Sequence, residues 1–172
     1  MNGKKQLYWI GGTFAVLMGL FLLSRIPPEN APATTLAGVE LKTLDGSKSV
    51  ELGACPTPKC LTVYVAPWCG ICRRSTPFIN ALRDYLSRHN VETRIIVGRD
   101  RPAEVAGYAP DFGPDTLVDA EGRYPLQGGV PNFTVTTPSG EVLKVTPGVP
   151  GLYEAPFPDD LMRKMGEYLG LN

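Results

Sequence analysis

The segment around residue 68 constrains this chain more than any other. Leu61-Thr62-Val63-Tyr64-Val65-Ala66 is a short apolar, β-branched and aromatic run bounded by Pro58 and Pro67, the pattern of a buried strand. From residue 69 to about residue 88 the period changes. Phe78, Ile79, Leu82, Tyr85 and Leu86 recur at i, i+1, i+4, i+7 and i+8, one apolar stripe of a helix. Residues 91–97 return to strand character. A strand, a crossover helix and a second strand in that order require parallel strands in one sheet, so the expected class is α/β. Trp68-Cys69-Gly70-Ile71-Cys72 falls on the turn from strand to helix.

The remainder is less regular. Residues 98–129 carry a short helix at 102–109, a short strand at 116–118 and turns. Residues 132–137 and 141–146 flank Pro138-Ser139-Gly140, two β-rich runs around a turn and hence an antiparallel hairpin. From Asp159 onward Leu161, Met162, Met165, Tyr168 and Leu169 recur at helical spacing behind Pro158, which predicts a C-terminal helix packed on the sheet. No internal repeat is present. Seventeen prolines and 19 glycines in 172 residues fit such a loop-rich body.

Residues 7–23 are uncharged and mostly apolar, behind Lys4 and Lys5. At about 1.5 Å per residue they span roughly 25 Å as a helix, near the short end of what a bilayer core requires. Arg25 can snorkel, and Tyr8 and Trp9 suit the other interface. A cleaved signal peptide is the rival reading, with Ala31-Pro32-Ala33 as a small-residue site; that site lies ten residues past the last apolar position. Residues 1–26 are therefore read as a retained membrane anchor. Its flanking charges favour a cytoplasmic N-terminus, which puts the rest of the chain on the extracytoplasmic, periplasmic side. Residues 27–49, with Pro27, Pro28 and Pro32, read as linker and N-terminal extension. The 17 basic and 17 acidic side chains balance, so the chain lacks the electrostatic footprint of a nucleic-acid binder.

Four cysteines occur, Cys55, Cys60, Cys69 and Cys72. The strand between the two pairs covers roughly 20 Å, far beyond the ~7 Å reach between bridged Cα atoms, so any disulfides are local. The same separation excludes a four-cysteine zinc site. The single histidine, His89, lies some five helical turns, roughly 26 Å, from Cys69, and no metal is expected. Cys69 opens the helix, where unpaired N–H groups and the macrodipole favour a thiolate, and Arg73 and Arg74 add positive charge. Cys69 is the expected nucleophile. Cys72, one turn on and less exposed, is placed to attack the mixed disulfide that Cys69 forms. Cys55 and Cys60 close a six-residue loop before the central strand, read as a structural disulfide of an exported domain, with a second redox pair as the alternative.

Ala66-Pro67-Trp68-Cys69-Gly70-Ile71-Cys72, then Pro77, a strand, and Gly129-Val130-Pro131-Asn132-Phe133 opening a hairpin together resemble the thioredoxin superfamily. Asp119-Ala120-Glu121-Gly122 before Val130-Pro131, and Ser139-Gly140-Glu141-Val142 after it, look most like the membrane-anchored TlpA/ResA-type branch. The resemblance implies a thioredoxin-like domain over residues 50–172, a central mixed sheet flanked by helices behind a single transmembrane helix. It also implies extracytoplasmic thiol-disulfide exchange with protein disulfides, supplied by a membrane electron donor at the inner membrane. Cytochrome c assembly is a role that only the branch resemblance implies. No cofactor is expected beyond the Cys69–Cys72 redox centre.

By the same resemblance the Val130–Pro131 bond is cis, Val130 pairs its backbone with an extended substrate, and Trp68, Gly70, Ile71 and Pro131 line the substrate surface. Pro77 shapes the helix. One position departs from the family: thioredoxins carry a buried acid six residues before the first active cysteine, where this chain has Val63. Glu104, Asp111, Asp115, Asp119 and Glu121 are the carboxylates that could replace it, each read first as a solvated loop charge. A disulfide-donating oxidase or isomerase, a copper-binding assembly chaperone using the same cysteines, and a non-catalytic module braced by them are the competing functions.

Overall fold

The computed structural model describes residues 35–151 and 153–171. All belong to one unit, Ala33–Asn172. The membrane span expected at residues 7–23 lies outside the described residues, and among those described no helix is long and apolar enough to cross a membrane.

Seven strands form one sheet: β1 (Glu40–Thr43), β2 (Ser49–Glu51), β3 (Cys60–Val65), β4 (Glu92–Gly98), β5 (Leu117–Asp119), β6 (Asn132–Thr136) and β7 (Val142–Pro147). Their spatial order is β2-β1-β5-β4-β3-β6-β7. The crossover from β3 to β4 is helix α1 (Gly70–Arg88), and the two strands are parallel, as the strand-helix-strand pattern requires, with Val63 beside Ile95. β5 is parallel to β4, whereas β6 and β7 form the expected antiparallel hairpin against the other side of β3. Two further helices, α2 (Pro102–Tyr108) and α3 (Asp159–Leu169), follow, with a 3₁₀ turn at Ala109–Phe112.

The domain boundary expected at residue 50 is corrected by β1 and β2. β1 pairs with β5 and β2 with β1, so the segment assigned to linker and extension supplies one edge of the sheet. The signal was the Asp45-Gly46 turn between two alternating stretches. The Ser47 N–H, together with the Thr43 and Ser47 hydroxyls, hydrogen-bonds the Asp45 carboxyl and holds it down to about 2.

Strand alternation divides the interior in two. Leu61, Val63, Val65, Ile95, Val97, Phe133 and Val135 face the helices and meet Phe78, Ile79 and Leu82 of α1 and Met162 and Met165 of α3. Tyr64, Ile96 and Leu117 face the other way, against Leu36, Leu41, Leu52 and Tyr124. Among the described residues no helix contributes to this second cluster; the N-terminal strands and the loop at Tyr124 cover it instead. Gly98 makes that face possible: a Cβ there would lie 2.1 Å from the Tyr64 hydroxyl and 2.5 Å from the Asp119 carbonyl oxygen. Only a glycine lets the Tyr64 ring reach across β4 to β5.

Candidate active site

β3 runs fully buried to Val65 and delivers the chain to Cys69, the N-cap of α1, in extended conformation (φ −81°, ψ 105°). The Cys69 Sγ accepts a hydrogen bond from the Cys72 N–H at 3.1 Å. It takes the place that a serine or aspartate oxygen holds at an ordinary N-cap. The Cys69 and Cys72 Cα atoms are 5.2 Å apart and the pair is disulfide-bonded. Cys69 is 6% exposed and Cys72 not at all, which makes Cys69 the sulfur an incoming group meets first.

The flanks are open. Trp68 is 63% exposed and Ile71 43%, large apolar surfaces on either side of the pair. Trp68 is held by its indole Nε1, which donates to the Arg99 carbonyl at 2.9 Å. The two arginines after Cys72 are not equivalent. Arg73 turns back, its Nε donating to the Pro67 carbonyl at 2.7 Å and its guanidinium lying over the Tyr108 ring at 4.9 Å. Arg74 is exposed, and its Nη1 reaches back one turn to within 3.8 Å of where a Cβ on Gly70 would lie. α1 continues through Pro77 to Arg88.

The loop before β6 closes the site. The Val130–Pro131 bond is cis, and the Val130 carbonyl oxygen lies 3.6 Å from Cys69 Sγ. Cys69, Cys72, Trp68, Gly70, Ile71, Val130 and Pro131 thus converge at the end of β3 and the start of α1. Cys55 and Cys60 do not join them. They form a second disulfide with Cα atoms 5.8 Å apart at the opposite end of β3, about 20 Å away along the strand. Inside their loop the Thr57 hydroxyl donates to the Lys59 carbonyl (2.7 Å) and accepts from the Glu92 N–H (3.1 Å), tying the loop to the start of β4. Closing a loop this short limits the stabilisation: a Cys55→Ala/Cys60→Ala variant is expected to lose about 2 kcal/mol in urea unfolding while disulfide exchange persists.

Val63 is fully buried on the helix-facing side with the cysteines, so the apolar substitution stands behind the pair. Of the five candidate acids, Glu104, Asp115 and Glu121 are surface partners of Arg101, Lys48 and Arg123, and Asp111 is exposed. Asp119 corrects the expectation of a solvated charge, being 2% exposed. Its carboxylate accepts from the Arg123 N–H (2.7 Å), the Tyr64 hydroxyl (3.0 Å) and the Tyr124 N–H (3.1 Å). Burial first, then the neighbouring Asp119 charge, drives the Tyr64 phenol far above its ordinary range. On β5, Val118 packs towards the helices and Leu117 away from them, so by alternation Asp119 lies on the face opposite the cysteines.

Sequence reasoning missed this buried network; alternation of Leu117 and Asp119 with Val118 was its only signal. It also missed a second cis bond, Ala155–Pro156, and the packing of Tyr153 and Phe157 on Phe78, with ring centroids 4.7 and 5.8 Å away. An opening of about 560 Å³ among Arg83, Ser87, Glu92 and Arg94 lies at the far end of α1 and includes none of the residues around the cysteine pair.

No family model and no curated protein matches the chain. Solved structures do. The pneumococcal exposed lipoprotein thioredoxin Etrx1 from Streptococcus pneumoniae strain TIGR4 superposes with a TM-score of 0.56 at 20% identity, over 76% of this chain and 98% of that one. A thiol:disulfide interchange protein of the thioredoxin family from Chlorobium tepidum TLS gives 0.54 at 18% identity, over 81% and 97%. DsbF from Mycobacterium tuberculosis, in mixed oxidized and reduced forms, gives 0.54 at 19% identity, over 80% and 98%. The fold is thioredoxin-like. In this thioredoxin-like frame the Cys69–Cys72 pair and the Val130–Pro131 loop meet at one end of the central strand.

Proposed function

We propose that the chain is a thiol-disulfide oxidoreductase that acts on protein disulfides through Cys69 and Cys72. The observation that carries this reading is the position of the Cys69 sulfur: at a helix N-cap, bonded by the Cys72 N–H, facing the Val130 carbonyl, and slightly exposed where Cys72 is fully buried. A negative charge on that sulfur gains from the N–H and the helix dipole.

In the reduced protein the Cys69 thiolate attacks one sulfur of the substrate disulfide. An S–S bond forms between Cys69 and substrate, the substrate S–S bond breaks, and the first substrate thiolate leaves with a proton from solvent. Cys72 then gives up its proton and attacks Cys69 Sγ, forming the Cys69–Cys72 disulfide and expelling the second substrate thiolate. Two electrons have passed to the substrate, and a dithiol donor returns them to the protein. During attack, Val130 offers its backbone to an extended substrate segment as an added strand, with Trp68 and Ile71 as apolar walls. With Val63 behind the pair and Asp119 across the sheet, the Cys72 proton leaves to water or to the departing substrate thiolate.

We place the protein in the reducing direction, anchored through residues 7–23 with its domain on the extracytoplasmic side and charged by a membrane dithiol donor. The uncharged segment and the Cys55–Cys60 bridge support the extracytoplasmic part of that placement. Alkylation rate against pH tests the core of the reading. The Cys69 thiol is expected to ionise below about 8.5, the free-cysteine value, and the protein to reduce insulin with dithiothreitol. A Cys69 that alkylates like free cysteine, in a protein inert to insulin, would falsify it. Equilibration with glutathione fixes the direction: a reductase lies near or below about −270 mV.

A further inference from the structure

The chain crosses from β5 to β6 through residues 120–131 with neither helix nor strand, and this crossing ends on the carbonyl that faces Cys69. It contains Gly128 (φ +79°) and Gly129, both exposed. Neither offers a side chain to pack, and glycine is the residue least able to hold a backbone in one conformation. The orientation of Val130 therefore has to be imposed from outside the segment.

Asn132 does so. It is completely buried; its side-chain Nδ2 donates to the Gln127 carbonyl at 2.6 Å, bridging the two ends of Gln127-Gly128-Gly129-Val130-Pro131. Its Oδ1 accepts from the Thr134 hydroxyl (3.0 Å), which accepts from the Tyr124 hydroxyl (2.8 Å). The Tyr124 N–H reaches the Asp119 carboxylate, its ring stacks on Tyr64 at 5.1 Å, and Tyr64 donates to the same carboxylate. Thr134, Tyr124, Asp119 and Tyr64 are all buried. This chain of bonds fixes which way the Asn132 amide points: its acceptor oxygen is occupied by a donor, so its NH₂ must face Gln127. On the other side the Gly148 N–H holds the Pro131 carbonyl at 2.6 Å.

We propose that Asn132 is a positioning residue for protein disulfides: oriented by Thr134 and Tyr124, its amide clamps the Gln127–Val130 segment so that the Val130 backbone stands ready to pair with an extended substrate beside Cys69. The inference rests on the exchange reading above. It adds that selectivity for polypeptide over small disulfides is set from behind the sheet, by groups that touch neither substrate nor sulfur. A small disulfide needs only Cys69; a polypeptide also needs the held backbone.

The test compares two probes on the full chain. Reduction of insulin, with dithiothreitol as reductant, depends on strand pairing, whereas oxidation of the reduced protein by 5,5′-dithiobis(2-nitrobenzoic acid) does not. Asn132→Ala is expected to raise the insulin KM about tenfold with little change in kcat, and to leave the rate with the small disulfide and the Cys69 titration curve as in the wild type. Tyr124→Phe, which removes only the hydroxyl that orients Thr134, is expected to give a smaller change of the same kind and serves alone if Asn132→Ala does not fold. Equal losses on both probes, or no loss on insulin, would overturn the proposal while leaving the exchange reading intact. A wild-type protein inert to both would sink the exchange reading and this inference with it.

Discussion

Cys69→Ser is expected to lower insulin reduction by at least about 10³-fold, the scale of losing an essential nucleophile. A serine hydroxyl can keep the N-cap hydrogen bond that Cys69 Sγ accepts from the Cys72 N–H, so the domain should remain folded. What is lost is a sulfur that ionises near neutral pH and forms S–S bonds. Cys72→Ser separates the two steps. With Cys69 free and the resolving sulfur gone, the first exchange proceeds and stops at the mixed disulfide. A non-reducing gel should then show a covalent adduct between protein and substrate that dithiothreitol releases, and peptide mapping should find it on Cys69. Adduct formation in Cys69→Ser, with attachment at Cys72, would reverse the assignment that exposure and capping make.

The largest change in stability is expected from Asp119→Ala, about 3–5 kcal/mol in urea unfolding, against a total that for a domain of this size is about 5–15 kcal/mol. The carboxylate receives the Arg123 and Tyr124 N–H groups and the Tyr64 hydroxyl. Alanine leaves these donors facing a buried space with no acceptor. Tyr64→Phe removes one of the donors, so the double variant Tyr64→Phe/Asp119→Ala should fall short of the sum of the single losses by about 1 kcal/mol. The same variants distinguish support from catalysis. Because Asp119 faces away from Cys72 across the sheet, resolution of the mixed disulfide should proceed in folded Asp119→Ala at the wild-type rate. Resolution slowed more than tenfold would show that Asp119 takes the Cys72 proton after all.

Much of the fold was legible because its signals are local. The six-residue run of β3 has no polar face, the stripe from Phe78 to Leu86 has one period, and Pro138-Ser139-Gly140 separates two β-rich runs. Each feature concerns residues close along the chain, where covalent spacing sets which side chains share a face. The hairpin of β1 and β2 was missed because it is short and charged, and its sole apolar anchors are Leu41 and Val50. They become core only once β5 lies beside β1. The same holds at the site. Cys69 and Cys72 declare themselves by spacing, and Val130-Pro131 by resemblance, but Asn132 reads only as the first residue of a β-rich run until Gln127, Thr134 and Tyr124 surround it.

The sequence by itself determined the strand-helix junction, the two cysteines on one helical turn and their separation from Cys55 and Cys60, because helical rise and strand rise convert spacing directly into distance. Only the tertiary structure decided that Asp119 lies behind the sheet, that Arg73 turns back to the Pro67 carbonyl and the Tyr108 ring, and that a buried asparagine braces the loop before β6. Those outcomes depend on which polar groups, once removed from water, find partners on strands distant in the chain, and no local pattern encodes that pairing.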